Sequence, residues 1–337
     1  MTESSSPADP VAQVEQAGET LAKVQSEISK RIVGQEEVVR LALTAILSGG
    51  HALLVGVPGL AKTRLVETLG TVLGLPNNRV QFTPDLLPSD ILGAEVLETG
   101  ADGSRAFKFI SGPIFTSLLM ADEINRASPR TQSALLQAMQ ERKVTVAGQN
   151  RDLGVPFHVL ATQNPIEQEG TYPLPEAQLD RFLLQIHIDY PTRDEEREIV
   201  LATTGSAEQV AETVLDAQSL MALQALVRAM PVGEQVVDAI ISLVRAARPD
   251  GPDASQAAVE RLAWGPGPRA AQSLMLAVRA RTLIEGRLAP GIDDVIALAP
   301  AALEHRMALT FAARAEGATL RSVIDEMMAG HALRDVA

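Results

Sequence analysis

Residues 56–63 read Gly56-Val57-Pro58-Gly59-Leu60-Ala61-Lys62-Thr63, between a short apolar run, His51–Val55, and a stretch of helical apolar spacing, Lys62–Leu73. A buried strand that ends in glycines and turns at once into a helix aims backbone amides and a helix N-terminus at one point, and so makes a cradle for phosphate. The pattern Gly-x-x-x-x-Gly-Lys-Ser/Thr is matched except at Ala61, one methyl group away from the usual last glycine. Lys62 is then expected to reach β- and γ-phosphates, and Thr63 to help hold magnesium. A plain Gly/Pro turn accounts for the glycines but not for Lys-Thr at this offset.

The rest of the chain supplies a frame for such a loop. Short apolar runs at Arg79–Thr83, Ser117–Ala121, Phe157–Thr162 and Leu183–Asp189 alternate with helical stretches such as Ser128–Arg142. That alternation predicts an α/β core with a mostly parallel sheet flanked by helices on both faces. Two-residue alternation at Phe107–Phe109 and Val144–Val146 predicts hairpin insertions near 86–109 and 144–153. Residues 1–18, rich in Ser, Pro, Ala and Glu, read as a flexible arm. The core is expected over 19–208, and helical periodicity alone over 209–337 predicts a smaller all-α domain. Gly265-x-Gly267-x-x-Ala270 approaches a dinucleotide fingerprint, but no strand precedes it and two prolines interrupt it.

Further polar residues stand where apolar runs end. Ser117–Ala121 leads into Asp122 and Glu123 at the carboxyl edge of the predicted sheet, the edge where open α/β sheets bind ligands. There Asp122 can orient magnesium and Glu123 can polarise a water for in-line attack on a γ-phosphorus, although an acidic pair is also common on surfaces. Ala161-Thr162-Gln163-Asn164-Pro165 ends another run and places the Asn164 amide near that water; otherwise it is a turn. Arg181, before the last strand, reads either as an arginine finger serving a neighbouring subunit or as a salt-bridge partner of Asp180 or Glu176. Arg269 opens a helix of the second domain and is a candidate γ-phosphate sensor or a solvated helix-start arginine. Arg126 and Arg130 are explained as well by solvation as by a subunit boundary. The five histidines show no metal-ligand spacing, and His158 and His187, on apolar strands, read as satisfied core residues.

These blocks together resemble the MoxR-type AAA+ ATPases. The resemblance runs over about residues 20 to 330 and includes Gly112-Pro113-Ile114-Phe115, Ala121-Asp122-Glu123-Ile124-Asn125-Arg126-Ala127 and Gly170-Thr171-Tyr172-Pro173-Leu174-Pro175-Glu176-Ala177-Gln178-Leu179-Asp180-Arg181-Phe182. Ala61 is usual in that family. The lid motif, usually Gly-Ala-Ser-Pro-Arg, is here Gly265-Pro266-Gly267-Pro268-Arg269. The resemblance implies a P-loop core with a helical lid, ATP and Mg2+ as cofactors, adenine held between the domains near Val33 and Gly34, and a ring, usually a hexamer. It also implies chaperone-like remodelling, often beside a separate partner with a von Willebrand factor A domain.

Composition narrows the alternatives. Net charge is −13 and aromatics are 3% of the 337 residues, which opposes a nucleic-acid motor needing basic grooves and stacking platforms. A nucleotide-gated switch that scarcely hydrolyses is disfavoured by Glu123, Asn164 and Arg181 occurring together. No apolar run approaches the roughly 20 residues of a membrane span. Residues 1–10 lack the basic-then-apolar pattern of a signal peptide, and with no cysteine in the chain a cytoplasmic location is expected.

Overall fold

The computed structural model describes residues 9–99, 104–166, 170–204 and 209–330. Helix α1 (Pro10–Ser29) starts where the Asp9 carboxylate accepts the Val11 amide and proline fills a first-turn position that needs no donor. Val14, Ala17, Leu21, Val24 and Ile28 recur every three or four residues, and all are buried. The arm expected over 1–18 is therefore corrected from Pro10 onward, because its Ala- and Glu-rich composition carries a stripe in phase with Leu21. Residues 1–8 lie outside the described residues.

Helix α2 (Glu36–Leu47) precedes β1 (Ala52–Gly56), α3 (Lys62–Val72) and β2 (Asn77–Gln81). Then come α4 (Pro88–Leu92), the hairpin β3 (Gly93–Thr99) and β4 (Arg105–Ser111), β5 (Leu118–Asp122), and α5 (Pro129–Glu141). The second hairpin, β6 (Lys143–Val146) and β7 (Gln149–Asp152), is followed by β8 (His158–Gln163), α6 (Glu176–Leu179) and β9 (Leu184–Ile188). The five-stranded sheet has the order β2-β5-β8-β1-β9 and is parallel throughout. All five β5 residues are buried, as a strand covered on both faces requires. Alternate side chains divide the core: Leu54, Met120, Leu160 and Ile186 join the helices before and after the core, whereas Leu53, Leu119, Val159 and Ala161 join α5 residues such as Leu135.

The two hairpins stand off the sheet and touch one another. Arg151 of β7 lies 3.6 Å from the Glu95 carboxylate and 3.7 Å from the centroid of the Phe109 ring. Farther along the first hairpin, Leu97 pairs in register with Phe107 and both are exposed. The tip expected within the first insertion, residues 100–103, lies outside the described residues.

Helix α7 (Arg193–Thr203) buries none of its side chains. Beyond it lie α8 (Ala217–Ala229), α9 (Glu234–Ala246), α10 (Gln256–Arg261), β10 (Leu262–Trp264), α11 (Pro268–Ile284), α12 (Ile292–Leu303), β11 (Ala308–Leu309), α13 (Phe311–Ala315) and α14 (Leu320–Gly330). The lid is thus helical with one addition, an antiparallel pair of β10 and β11 that is too short to leave an alternating pattern. The predicted change of domain at 208/209 and the end of the lid at 331–337 fall on or beside residues outside the described set. His187 also differs from expectation: it is exposed on the edge strand and sits 2.5 Å from Glu304 of the lid. His158 is a core histidine, with Nδ1–H donating to the Gly50 carbonyl at 2.8 Å.

Candidate active site

Because β1, β5 and β8 are parallel neighbours, their carboxyl ends open on one edge and carry the residues that follow them to a common place. β1 delivers Gly56, Val57, Pro58, Gly59, Leu60 and Ala61 to the N-terminus of α3. Gly59 and Ala61 both have left-handed backbones, with φ of 87° and 55°. That conformation is free to glycine and costs alanine about 1–2 kcal/mol, which explains why a glycine usually stands at the second position. Lys62 is buried and donates to the Gly56 carbonyl at 2.6 Å. Burial pushes its pKa down, and the nearby charges of Asp122 and Glu123 pull it back up.

β5 ends in Asp122, and Glu123 follows with φ 56°, a left-handed backbone without glycine of the kind that gathers at functional sites. Thr162 of β8 joins the two: its hydroxyl donates to Asp122 Oδ1 at 2.5 Å and accepts the Glu123 amide at 2.8 Å. Glu123 Oε2 accepts from Gln81 at 2.7 Å and from Arg126 at 3.1 Å. Arg79 donates to Asp122 Oδ2 at 2.6 Å. Asn164 is buried beyond β8, and its side-chain oxygen accepts the Ile166 amide at 3.1 Å. Asp122, held by the Thr162 hydroxyl at the sheet edge that also carries the phosphate loop, offers the carboxylate oxygen that a hard cation such as magnesium takes.

Val33 and Gly34 stand beside this edge but face different spaces. Val33 lines a crevice of about 60 Å³ with Ile32, Ala61, Arg64 and Ile199. Gly34, at φ 71°, packs so closely on α7 that an added Cβ would lie 2.7 Å from the Glu195 Cβ. It borders a separate cleft of about 440 Å³ between α2, β9 and the lid.

Arg181 and Arg269 are not brought to this edge. They line a cleft of about 230 Å³ with Gly50 and His51, which precede β1, and with Leu183, which precedes β9. That is the amino edge of the sheet, one strand length (about 17 Å for five residues) from the phosphate loop, beyond the reach of either side chain. Arg269, the candidate γ-phosphate sensor of the lid, thus stands with Arg181 at the edge opposite its own phosphate loop. Asp180 organises the cleft: its carboxylate takes Arg306 at 2.7 Å and Arg269 at 3.7 Å. Arg306 is buried and donates also to the Phe182 and Leu183 carbonyls at 2.7 and 3.2 Å. Burial, and then the adjacent charge of Arg269, depress the Arg181 pKa. Sequence reasoning missed Arg79, Gln81, Thr162 and Arg306, whose partners are distant in the chain; for Thr162 alone, a hydroxyl inside an apolar run was a signal.

Comparison with known proteins agrees with this frame. Residues 51–184 match the model of the ATPase family associated with various cellular activities (AAA), and residues 254–327 match the AAA lid domain. The chain is 41% identical to Chaperone MoxR1 of Mycobacterium tuberculosis, over 94% of this chain and 83% of that protein. It is 33% identical to Protein MoxR of Methylorubrum extorquens, over 86% of this chain and 87% of that protein. A solved structure of a presumed ATPase from Cytophaga hutchinsonii superposes with a TM-score of 0.86 at 35% identity, covering 96% of both chains. The chain belongs to the MoxR family of AAA+ ATPases. No helix among the described residues is long and apolar enough to cross a membrane.

Proposed function

We propose that the protein hydrolyses ATP with magnesium in a ring of identical subunits and uses the cycle to remodel partner proteins in the cytoplasm. The observation that carries this reading is the distribution of charge between the two edges of the sheet. One edge gathers Lys62, Thr63, Asp122, Glu123 and Asn164; the other holds Arg181 and Arg269 too far away to complete the same site. Lys62 and the loop amides hold the phosphates. Thr63 and Asp122 hold magnesium, which neutralises charge on the β- and γ-phosphates when bound. Glu123 takes the proton of the attacking water, and Asn164 orients that water. Two guanidinium groups beside one another favour an anion between them, so Arg181 and Arg269 serve the nucleotide of a neighbouring subunit. The crevice at Val33 receives the adenine, with Gly34 setting the distance to α7.

Remodelling, and a partner with a von Willebrand factor A domain, rest on the family and on the chaperone named among its relatives. Glu123→Gln is expected to bind ATP while turnover falls about 10²- to 10⁴-fold. Undiminished turnover in a folded Glu123→Gln protein removes Glu123 from the mechanism. Mixing Arg181→Ala with Lys62→Ala subunits restores part of the activity if the arginine serves a neighbour, and a co-assembled mixture with none excludes that role.

A further inference from the structure

Strand β2 lies at the edge of the sheet, in register with β5 so that Gln81 stands opposite Asp122. Arg79 and Gln81, two residues apart, leave the strand on the same side. Arg79 Nη2 and Nε donate to the same Asp122 oxygen, Oδ2, at 2.6 and 3.2 Å, and Nη2 also donates to the Gln81 side-chain oxygen at 2.8 Å. The other carboxylate oxygen takes the Thr162 hydroxyl. Both oxygens of a buried carboxylate are thereby engaged, one by a neutral group fixed inside the sheet and the other by a cation whose side chain is 50% exposed. Lys62 donates to Gly56 and acts on Asp122 through the field of its charge, whereas Arg79 donates to the carboxylate directly.

Resting on the reading of Asp122 as the magnesium-side carboxylate, we infer that Arg79 is a built-in counter-cation that competes with magnesium for Asp122 Oδ2. A buried carboxylate needs a positive partner. A dication and a guanidinium repel each other when both approach one oxygen. The guanidinium gives way more readily than Thr162, because its half-exposed head can turn into water without disturbing a strand. Arg79 therefore acts as a positioning residue. It holds Asp122 in place and sets the magnesium concentration at which the metal takes over.

The test measures binding of a fluorescent ATP analogue to the full chain, once in EDTA and once in magnesium, and compares the ratio of the two affinities among variants. Arg79→Met is expected to raise that ratio about three- to tenfold, as loss of a partly exposed competing pair implies, with Arg79→Lys in between. Asp122→Asn should bring the ratio toward one, and adding Arg79→Met to it should change nothing further. A folded Arg79→Met protein with an unchanged or smaller ratio, beside a magnesium-dependent wild type, overturns the inference alone. Wild-type protein that binds no ATP, or binds it without magnesium dependence, overturns the reading of the site and this inference with it. If Arg79→Met does not fold, Arg79→Gln carries the same comparison, because it keeps hydrogen bonding and removes only the charge.

Discussion

Ala61 caps α3 at a φ of 55°, and this one angle separates the geometry the loop needs from the residue the chain uses. Ala61→Gly should relieve the left-handed conformation while making the unfolded chain more flexible. The net is a gain of stability below about 1 kcal/mol, read as a shift in the urea midpoint. Thr162→Val is expected to act more strongly. It leaves an oxygen of Asp122 and the amide of Glu123 without their partner, which costs about 1–3 kcal/mol in chemical denaturation, and ATP turnover should fall with it. The loop was legible in the sequence because backbone amides do its work and only glycine, lysine and threonine need to be read. Arg79 was not legible. An arginine within Asn77–Gln81 looks like solvated edge-strand polarity until β5 is known to lie alongside, with Asp122 reaching the same side.

At the scale of elements, α7 is weakly anchored and borders the crevice that the proposed function assigns to adenine. Its first turn is closed by a capping box of Thr192 and Glu195, yet no α7 residue is buried, and Ile199, Ala202 and Thr203 wall the crevice at Val33. Such a helix opens locally at little cost. Adding ATP should slow hydrogen exchange of amides 193–203 more than that of α5 on the far face; equal protection would exclude α7 from the adenine pocket. The hairpins respond to a different change. Arg151→Ala removes a cation–π contact and an ion pair together, which should cost about 1 kcal/mol and raise exchange in β3 and β4 while leaving the phosphate loop unaffected. The strands of the sheet were legible as short apolar runs, three of which, β1, β5 and β9, end on or run into glycine or acid. The β10–β11 pair and α7 were not: the strands have three and two residues, and the helix has no buried face to impose a period.

In the whole molecule, long-range polar contacts such as His187–Glu304 and Arg306–Asp180 join lid to core, while buried histidines make the fold sensitive to acid. Burial pushes the pKa of His51 from 6.5 down to about 3 and that of His158 to about 4. Unfolded chains bind protons at these histidines near the ordinary value, so the stability they contribute is full above pH 6.5 and is lost as pH falls toward 4. The slope reaches about 1.4 kcal/mol per pH unit for each. His187 has the opposite sign: Glu304 raises its pKa, so its contribution is present below the unfolded value and is lost as pH rises through the folded one. Burial holds His305 well below the ordinary value too, so three depressed histidines oppose His187, and the melting temperature at pH 5 should lie below that at pH 7, as calorimetry would show. Arg306→Met leaves Asp180, 126 residues away in the chain, with only the more distant Arg269 at 3.7 Å, and should cost about 2–4 kcal/mol, reduced from the fully buried case because Asp180 is partly exposed and keeps that second cation. No local pattern announced that pair. The placement of Arg181 and Arg269 one strand length from their own phosphate loop has an arithmetic consequence under the proposed function. An open string of n subunits holds n − 1 complete catalytic centres, and only closure of the string supplies the last. Turnover per chain then counts interfaces rather than molecules, so it should rise with protein concentration and vanish on dilution before ATP binding does.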